Sequence, residues 1–180
     1  MKRVLKTIGV IFLLIIAIVL IGGLFTAKKY HFEKSISINA PQTVVWPYIS
    51  NLQATTKWMP WMKMDPNIQS GIEGTDGTPG ARYWWKGNDK VGEGNMIINS
   101  VTPPQQAVID LHFIKPFDSK AITVLASQNE GNGTKVTWSM DGTNPYPLNF
   151  ISKVIFNMDA MLDKDFGTGL NNLKAMCEKQ

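Results

Sequence analysis

Few side chains in this 180-residue sequence can carry acid–base, nucleophilic or metal chemistry, and they are scattered. His112 follows Asp110 by two residues, the spacing of a general base and an orienting carboxylate on one face of a strand. Asp159 and Asp163 are four apart, so a helix would place both on one face as an acid/base pair or a cation site. Asp165 extends that patch, but Lys164 and Lys174 nearby read as an ordinary solvated helix face. Arg82, the one arginine after Arg3, suits a ligand carboxylate or a sheet-edge ion pair. His31 reads as a solvated linker residue. Cys177 falls on an apolar stripe near the chain end, where a packed thiol is simpler than a nucleophile.

Other chemistries lack their residues. One cysteine excludes an intrachain disulfide and any Cys-pair zinc site, and two histidines add little toward a metal centre. The Gly71–Gly74 and Gly92–Gly94 runs read as turn glycines. They lack the Lys-Ser/Thr end and strand-to-helix setting of a phosphate loop. No catalytic constellation, metal site or cofactor is expected. The formal charge is +4, but Lys2, Arg3 and Lys6 supply most of it, and from Lys28 onward the chain is nearly neutral. Such a balance argues against a nucleic-acid binder.

The elements that must position these residues begin with a charge-free run, Thr7 to Ala27. As a helix it would rise roughly 30 Å, the depth of a bilayer's hydrocarbon core. Ile8, Phe12, Ile16, Leu20 and Phe25 would face lipid. A cleaved signal peptide is the rival reading, but a cut after Ala27 would leave Phe25 where a small residue is preferred. Residues 1–29 are therefore read as a single-pass anchor that adds nothing to the core, and 30–180 as the folded domain. The positive-inside rule gives a slight preference for the domain on the extracytoplasmic side.

Phe32 to Ile38 alternates as a strand, and Pro41 opens a helix over Gln42–Ser50. Trp58-Met59-Pro60-Trp61 follows, with Pro60 as a breaker. Residues 65–80 read as loop with at most one short strand. Five strands follow, near 81–86, 92–101, 107–114, 121–127 and 134–140, a spacing that predicts an antiparallel meander. On the third of these, Ala107, Ile109, Leu111 and Phe113 share one face; Val136, Trp138 and Met140 point inward on the last. From about Leu148 to Glu178 the period changes to three and four, predicting one long amphipathic helix. Gly167 and Gly169 inside it imply a kink or a close approach to the sheet.

This order resembles the helix-grip fold of the START-like superfamily, nearest its bacterial polyketide cyclase/dehydrase and lipid-transport branch. The resemblance rests on the Ile38-Asn39-Ala40-Pro41 junction, Val44 to Ile49, Trp58 to Trp61, the Gly133 to Trp138 strand, and Asp165 to Lys174. Gly167, where a longer side chain is common, departs from the pattern. The resemblance implies an α+β domain whose antiparallel sheet curls around the last helix and leaves a cavity. Trp58, Trp61, Tyr83, Trp85, Phe113, Trp138, Met140, Met158 and Leu162 are its expected lining. Aromatic and methionine walls suit a hydrophobic small molecule or lipid; the plain alternative is that they simply fill a core. Trp84 is equally able to point inward.

Two functions follow, a membrane-tethered binding module and a cyclase or dehydrase using the same cavity. Catalysis needs an inward acid/base pair, and the sequence supplies no convincing one. A cytoplasmic regulatory domain would require the opposite membrane orientation.

Overall fold

The computed structural model describes residues 2–179. Helix α1, Lys2–Phe25, is the one helix among them long and apolar enough to cross a membrane. Only Thr26, Ala27 and Lys28 separate it from strand β1, Lys29–Ile38. Helix α2, Gln42–Ser50, buries Val45 and Ile49, and the short α3, Leu52–Thr56, buries Leu52 and Thr55. Pro60 begins a 3-10 turn, Pro60–Lys63, where a missing N–H costs nothing.

The remaining strands are β2 (Gln69–Glu73), β3 (Arg82–Lys86), β4 (Glu93–Thr102), β5 (Gln106–Lys115), β6 (Ser119–Glu130) and β7 (Gly133–Thr143). They form one sheet in the order β1-β7-β6-β5-β4-β3-β2, every pair antiparallel. The meander from β2 to β7 is thus completed by β1 beside β7, with Phe32 opposite Met140 and Ile38 opposite Thr134. Alternation fixes the faces. Ala107, Ile109 and Leu111 on β5 and Val136, Trp138 and Met140 on β7 are buried, while Asp110 and His112 lie on the other face.

The long C-terminal helix is not continuous. A short α4, Leu148–Phe150, runs into a π-helical turn, Ile151–Ile155. The chain then breaks at Asn157, whose backbone is left-handed (φ 47°), and α5 runs from Met158 to Cys177. Asparagine tolerates that conformation better than most residues. The break corrects the single helix expected over 148–178. It lets the first segment turn toward α1 while α5 follows the sheet. Val154 and Ile155, which fit the three- and four-residue period, are exposed in consequence, and Met161 is exposed beside the buried stripe of α5.

No α1 residue joins the hydrophobic core, yet its last turns do not stand free. The Asn149 side chain donates to the carbonyls of Gly23 and Thr26 at 2.8 and 2.7 Å, satisfying two of the acceptors that a helix end leaves open. The Tyr146 hydroxyl donates to the Leu20 carbonyl at 3.1 Å. Phe150 packs directly against Gly22, which has no room for a side chain there.

Candidate functional site

The inner face of the sheet and the facing side of α5 enclose the apolar interior. Its centre is a group of rings from four different elements. Trp138 of β7 stacks on Phe166 of α5 with centroids 3.8 Å apart and planes at 11°. Trp58, just after α3, meets Trp138 edge-on at 5.1 Å, and Trp61 of the 3-10 turn does so at 5.7 Å. Phe32 of β1 closes on Phe166 at 5.0 Å. Trp58, Trp138 and Phe166 are fully buried.

Each indole N–H in this group has a partner, as buried tryptophans require. Trp58 donates to the Tyr48 carbonyl at 2.9 Å. Trp138 donates to the Thr123 hydroxyl at 2.8 Å, which passes its own proton to the Ser139 carbonyl at 2.8 Å. Trp61 donates to the Asp165 carboxylate at 2.8 Å. Gly169 explains how α5 comes so close. A Cβ there would stand 2.9 Å from the Trp138 ring and 3.4 Å from both Trp58 and Pro60. The close approach, and not a kink, is the reason for that glycine.

A second group lines the β3–β5 side. Tyr83 and Trp85 are both buried on the inner face, and Trp84 points outward over Gly71. Trp85 meets Phe113 of β5 at 6.2 Å across Gly94, which has no room for a side chain against the Trp85 ring. Gly94 is therefore a strand residue, not a turn glycine. Met140 and Leu162 are buried, and Met158 is half-buried at the start of α5. All nine expected lining residues thus lie on the inner side of the sheet or under α5. Phe166, Phe32 and Tyr30 join them; the helical period and the alternation of β1 carried that signal.

Where the sheet and α5 part, a cleft of about 400 Å³ opens beside the end of α1. Tyr30, Phe32, Asn144, Asn149 and Met158 are among its walls. Burial, and then the charge of Asp141, raises the Tyr30 hydroxyl above the usual tyrosine range, so it is a neutral donor. A larger concavity, about 680 Å³, is lined mostly by outward-pointing side chains, including Ile97, Asp110, His112, Lys120 and Ile122.

Most groups singled out for chemistry lie at the surface; Cys177, in the core, and Asp165, bonded to Trp61, are the exceptions. His112 pairs with Asp118 at 3.1 Å, not with Asp110, which accepts from Asn99 at 3.0 Å. His31 is a β1 residue, not a linker one, and faces Asp141 across the ladder at 2.8 Å. Asp163 is held by Lys34 at 2.6 Å, and Asp159 lies 3.9 Å from Lys153. Arg82 forms the sheet-edge pair, at 3.0 Å from Glu73. Cys177 is buried, and desolvation followed by the nearby Glu178 charge pushes its thiol up to about 11. A thiol so raised is protonated at neutral pH and a poor nucleophile.

The family model for polyketide cyclase/dehydrase and lipid transport matches residues 29–178. The chain belongs to that family. The polyketide cyclase/dehydrase and lipid transport domain thus begins with β1 and ends with α5. Its solved neighbours share the fold at low identity. A protein of Mesorhizobium loti superposes with a TM-score of 0.62 at 10% identity, covering 84% of this chain and 98% of its own. One from Rhizobium leguminosarum gives 0.61 at 15%, covering 86% and 98%. The protein Ara h 8.0201 gives 0.58 at 14%, covering 84% and 99%. The fold is accordingly the helix grip, a curved antiparallel sheet around a C-terminal helix. No curated protein matches the chain in sequence.

Proposed function

We propose that this family member is a single-pass membrane protein whose domain binds a hydrophobic small molecule or lipid between the sheet and α5. The observation that carries the reading is the chemistry of the inner face. Tyr83, Trp85, Phe113, Met140 and Leu162 give the interior an aromatic and thioether character over a packed floor of Trp58, Trp61 and Trp138, and Met158 walls the cleft that leads in beside α1. Ile8, Phe12, Ile16, Leu20 and Phe25 of α1 face lipid, and the domain stands on the extracytoplasmic side. Residues 1–29 act as the tether and 30–180 as the binding domain.

The test uses a domain beginning at Lys28, once circular dichroism has established that it folds. Fluorescent fatty acids should bind it at micromolar concentration or below, about −8 kcal/mol. Native mass spectrometry should find a co-purified hydrophobe. Met140→Gln and Met158→Gln variants that fold normally and bind every probe like the wild type would remove the proposed lining.

The cyclase or dehydrase alternative, read from the sequence as using the same cavity, has one observation in its favour and it lies on the outer face instead: His112 and Asp110 both border the larger concavity. Turnover of ester or polyketide-like substrates that vanishes in a folded His112→Ala variant would favour it. The binding reading expects His112→Ala and Asp163→Asn to change nothing.

A further inference from the structure

The end of the sheet nearest α1 differs from the opposite end. The strand register brings to it the start of β1, the β3–β4 and β5–β6 turns, and the whole segment after β7. Exposed apolar side chains gather there. Val154, Ile155 and Phe156 are 58%, 57% and 64% exposed, and Phe117 at the β5–β6 tip is 64% exposed. Lysines surround them: Lys28, Lys29, Lys90, Lys115, Lys120 and Lys153. Carboxylates lie among them: Glu93 engages Lys115, Asp159 is 3.9 Å from Lys153, and Asp89, Asp118 and Asp141 are at the same end, so the charge there is nearly balanced. The turns at the other end, 39–41, 74–80, 103–105 and 131–132, carry no large apolar side chain.

The attachment to α1 sets the depth of this end. Three residues between α1 and β1 span at most about 10 Å. Phe150 rests on Gly22, and Tyr146 bonds to Leu20. Gly22 lies three residues before the end of α1, about 4.5 Å back along its axis, so Phe150 sits on the apolar side of Lys28. A segment held at that level cannot leave the boundary between headgroups and acyl chains while α1 spans the bilayer. Tyrosine and lysine there are the residue types that this boundary favours. Left in water, Val154, Ile155 and Phe156 would form a contiguous apolar patch with nothing to cover it.

We infer that the Leu148–Phe156 segment is a membrane-docking element, its apolar side chains sunk into the bilayer interface beside the end of α1. This rests on the membrane-anchor reading of α1. It adds a direction to the binding proposal: the cleft walled by Tyr30, Asn149 and Met158 opens at the same end. A hydrophobic ligand would pass between bilayer and domain without crossing water.

The test uses the full chain in vesicles of phosphatidylcholine and phosphatidylglycerol. Nitroxide spin labels are placed by Phe156→Cys, by Phe12→Cys in the middle of α1, and by Asn132→Cys in the β6–β7 turn. All three positions are exposed, and the native Cys177 is buried. Oxygen-against-nickel accessibility reports depth. Phe12 should read near the bilayer centre, Phe156 about 5–10 Å below the phosphates, and Asn132 aqueous. If Phe156 reads aqueous while Phe12 reads deep, the docking element is refuted and the anchor stands. If Phe12 also reads aqueous, the anchor reading falls and the docking element with it. An Ile155→Cys label gives an independent second reading of the same depth.

Discussion

Two glycines of α5 lie two residues apart in sequence and should respond oppositely to the same methyl group. Replacing a mid-helix glycine with alanine removes backbone freedom from the unfolded chain and gains roughly 0.5–1 kcal/mol. At Gly167 the added Cβ meets only the flexible end of Lys34, with Nζ at 3.2 Å and Cε at 3.4 Å. That side chain can swing aside, so Gly167→Ala should keep the gain. At Gly169 the Cβ would lie 2.9 Å from the Trp138 ring. That ring cannot yield, being stacked on Phe166 and bonded to Thr123. Overpacking of this kind costs about 1–3 kcal/mol, which leaves a net loss of roughly 0.5–2 kcal/mol. At about 3 °C per kcal/mol for a domain of this size, Gly167→Ala should melt about 1–3 °C higher and Gly169→Ala about 2–6 °C lower. Near-UV circular dichroism of the detergent-solubilised full chain follows the tryptophan cluster directly. Equal stabilisation by both changes would refute the close approach of α5 to the sheet.

Three further outcomes are expected. Thr123→Val keeps the shape but strands the buried Trp138 N–H, and should cost about 1–3 kcal/mol in urea unfolding. Asp76→Ala removes the carboxylate that accepts from the backbone N–H groups of Leu52 and Gln53, at 2.7 and 3.0 Å, and should cost about 1 kcal/mol in the same assay. Cys177 should resist alkylation at pH 8 until the protein unfolds. Its folded value of about 11 exceeds the 9.0 of a free thiol, so folding favours the protonated form. That contribution is intact below pH 9 and is lost as pH rises through about 11; protection of the thiol that did not change on unfolding would refute it.

The strands were legible because one face of each is buried. The alternation of Ala107, Ile109 and Leu111 against Asp110 and His112 is the pleat itself. The same logic left Trp84 open, since a strand of consecutive aromatics has no polar face to orient it. A glycine lies beneath each ring, Gly71 under Trp84 and Gly94 under Trp85, so only the packing of the sheet decides the matter. The inward residues were legible as a set, but which rings touch was not, because ring contacts depend on the distance between α5 and the sheet. The final helix was misread for a physical reason. Helical period shows that side chains share a face; it does not say whether that face meets protein. Val154 and Ile155 keep the period and miss the core, because the chain breaks at the left-handed Asn157 before α5 begins; Met161 lies beside the buried stripe of α5, not on it. The partners of His112 and His31 were beyond reach too, since Asp118 and Asp141 become neighbours only through turns and strand pairing.

The place of β1 in the sheet bears on how the chain is made. This strand follows α1 at once, yet its sole ladder partner is β7, and residues that meet across it, such as His31 and Asp141, are 110 positions apart. During synthesis β1 is among the first parts of the domain to emerge and among the last to be paired. Closing so long a loop is entropically costly, and folds built on such distant pairings assemble slowly. Until β7 arrives, an open strand edge remains exposed, the kind of template on which other chains aggregate. The nascent domain therefore passes through a vulnerable interval that ends only when its last strand is complete.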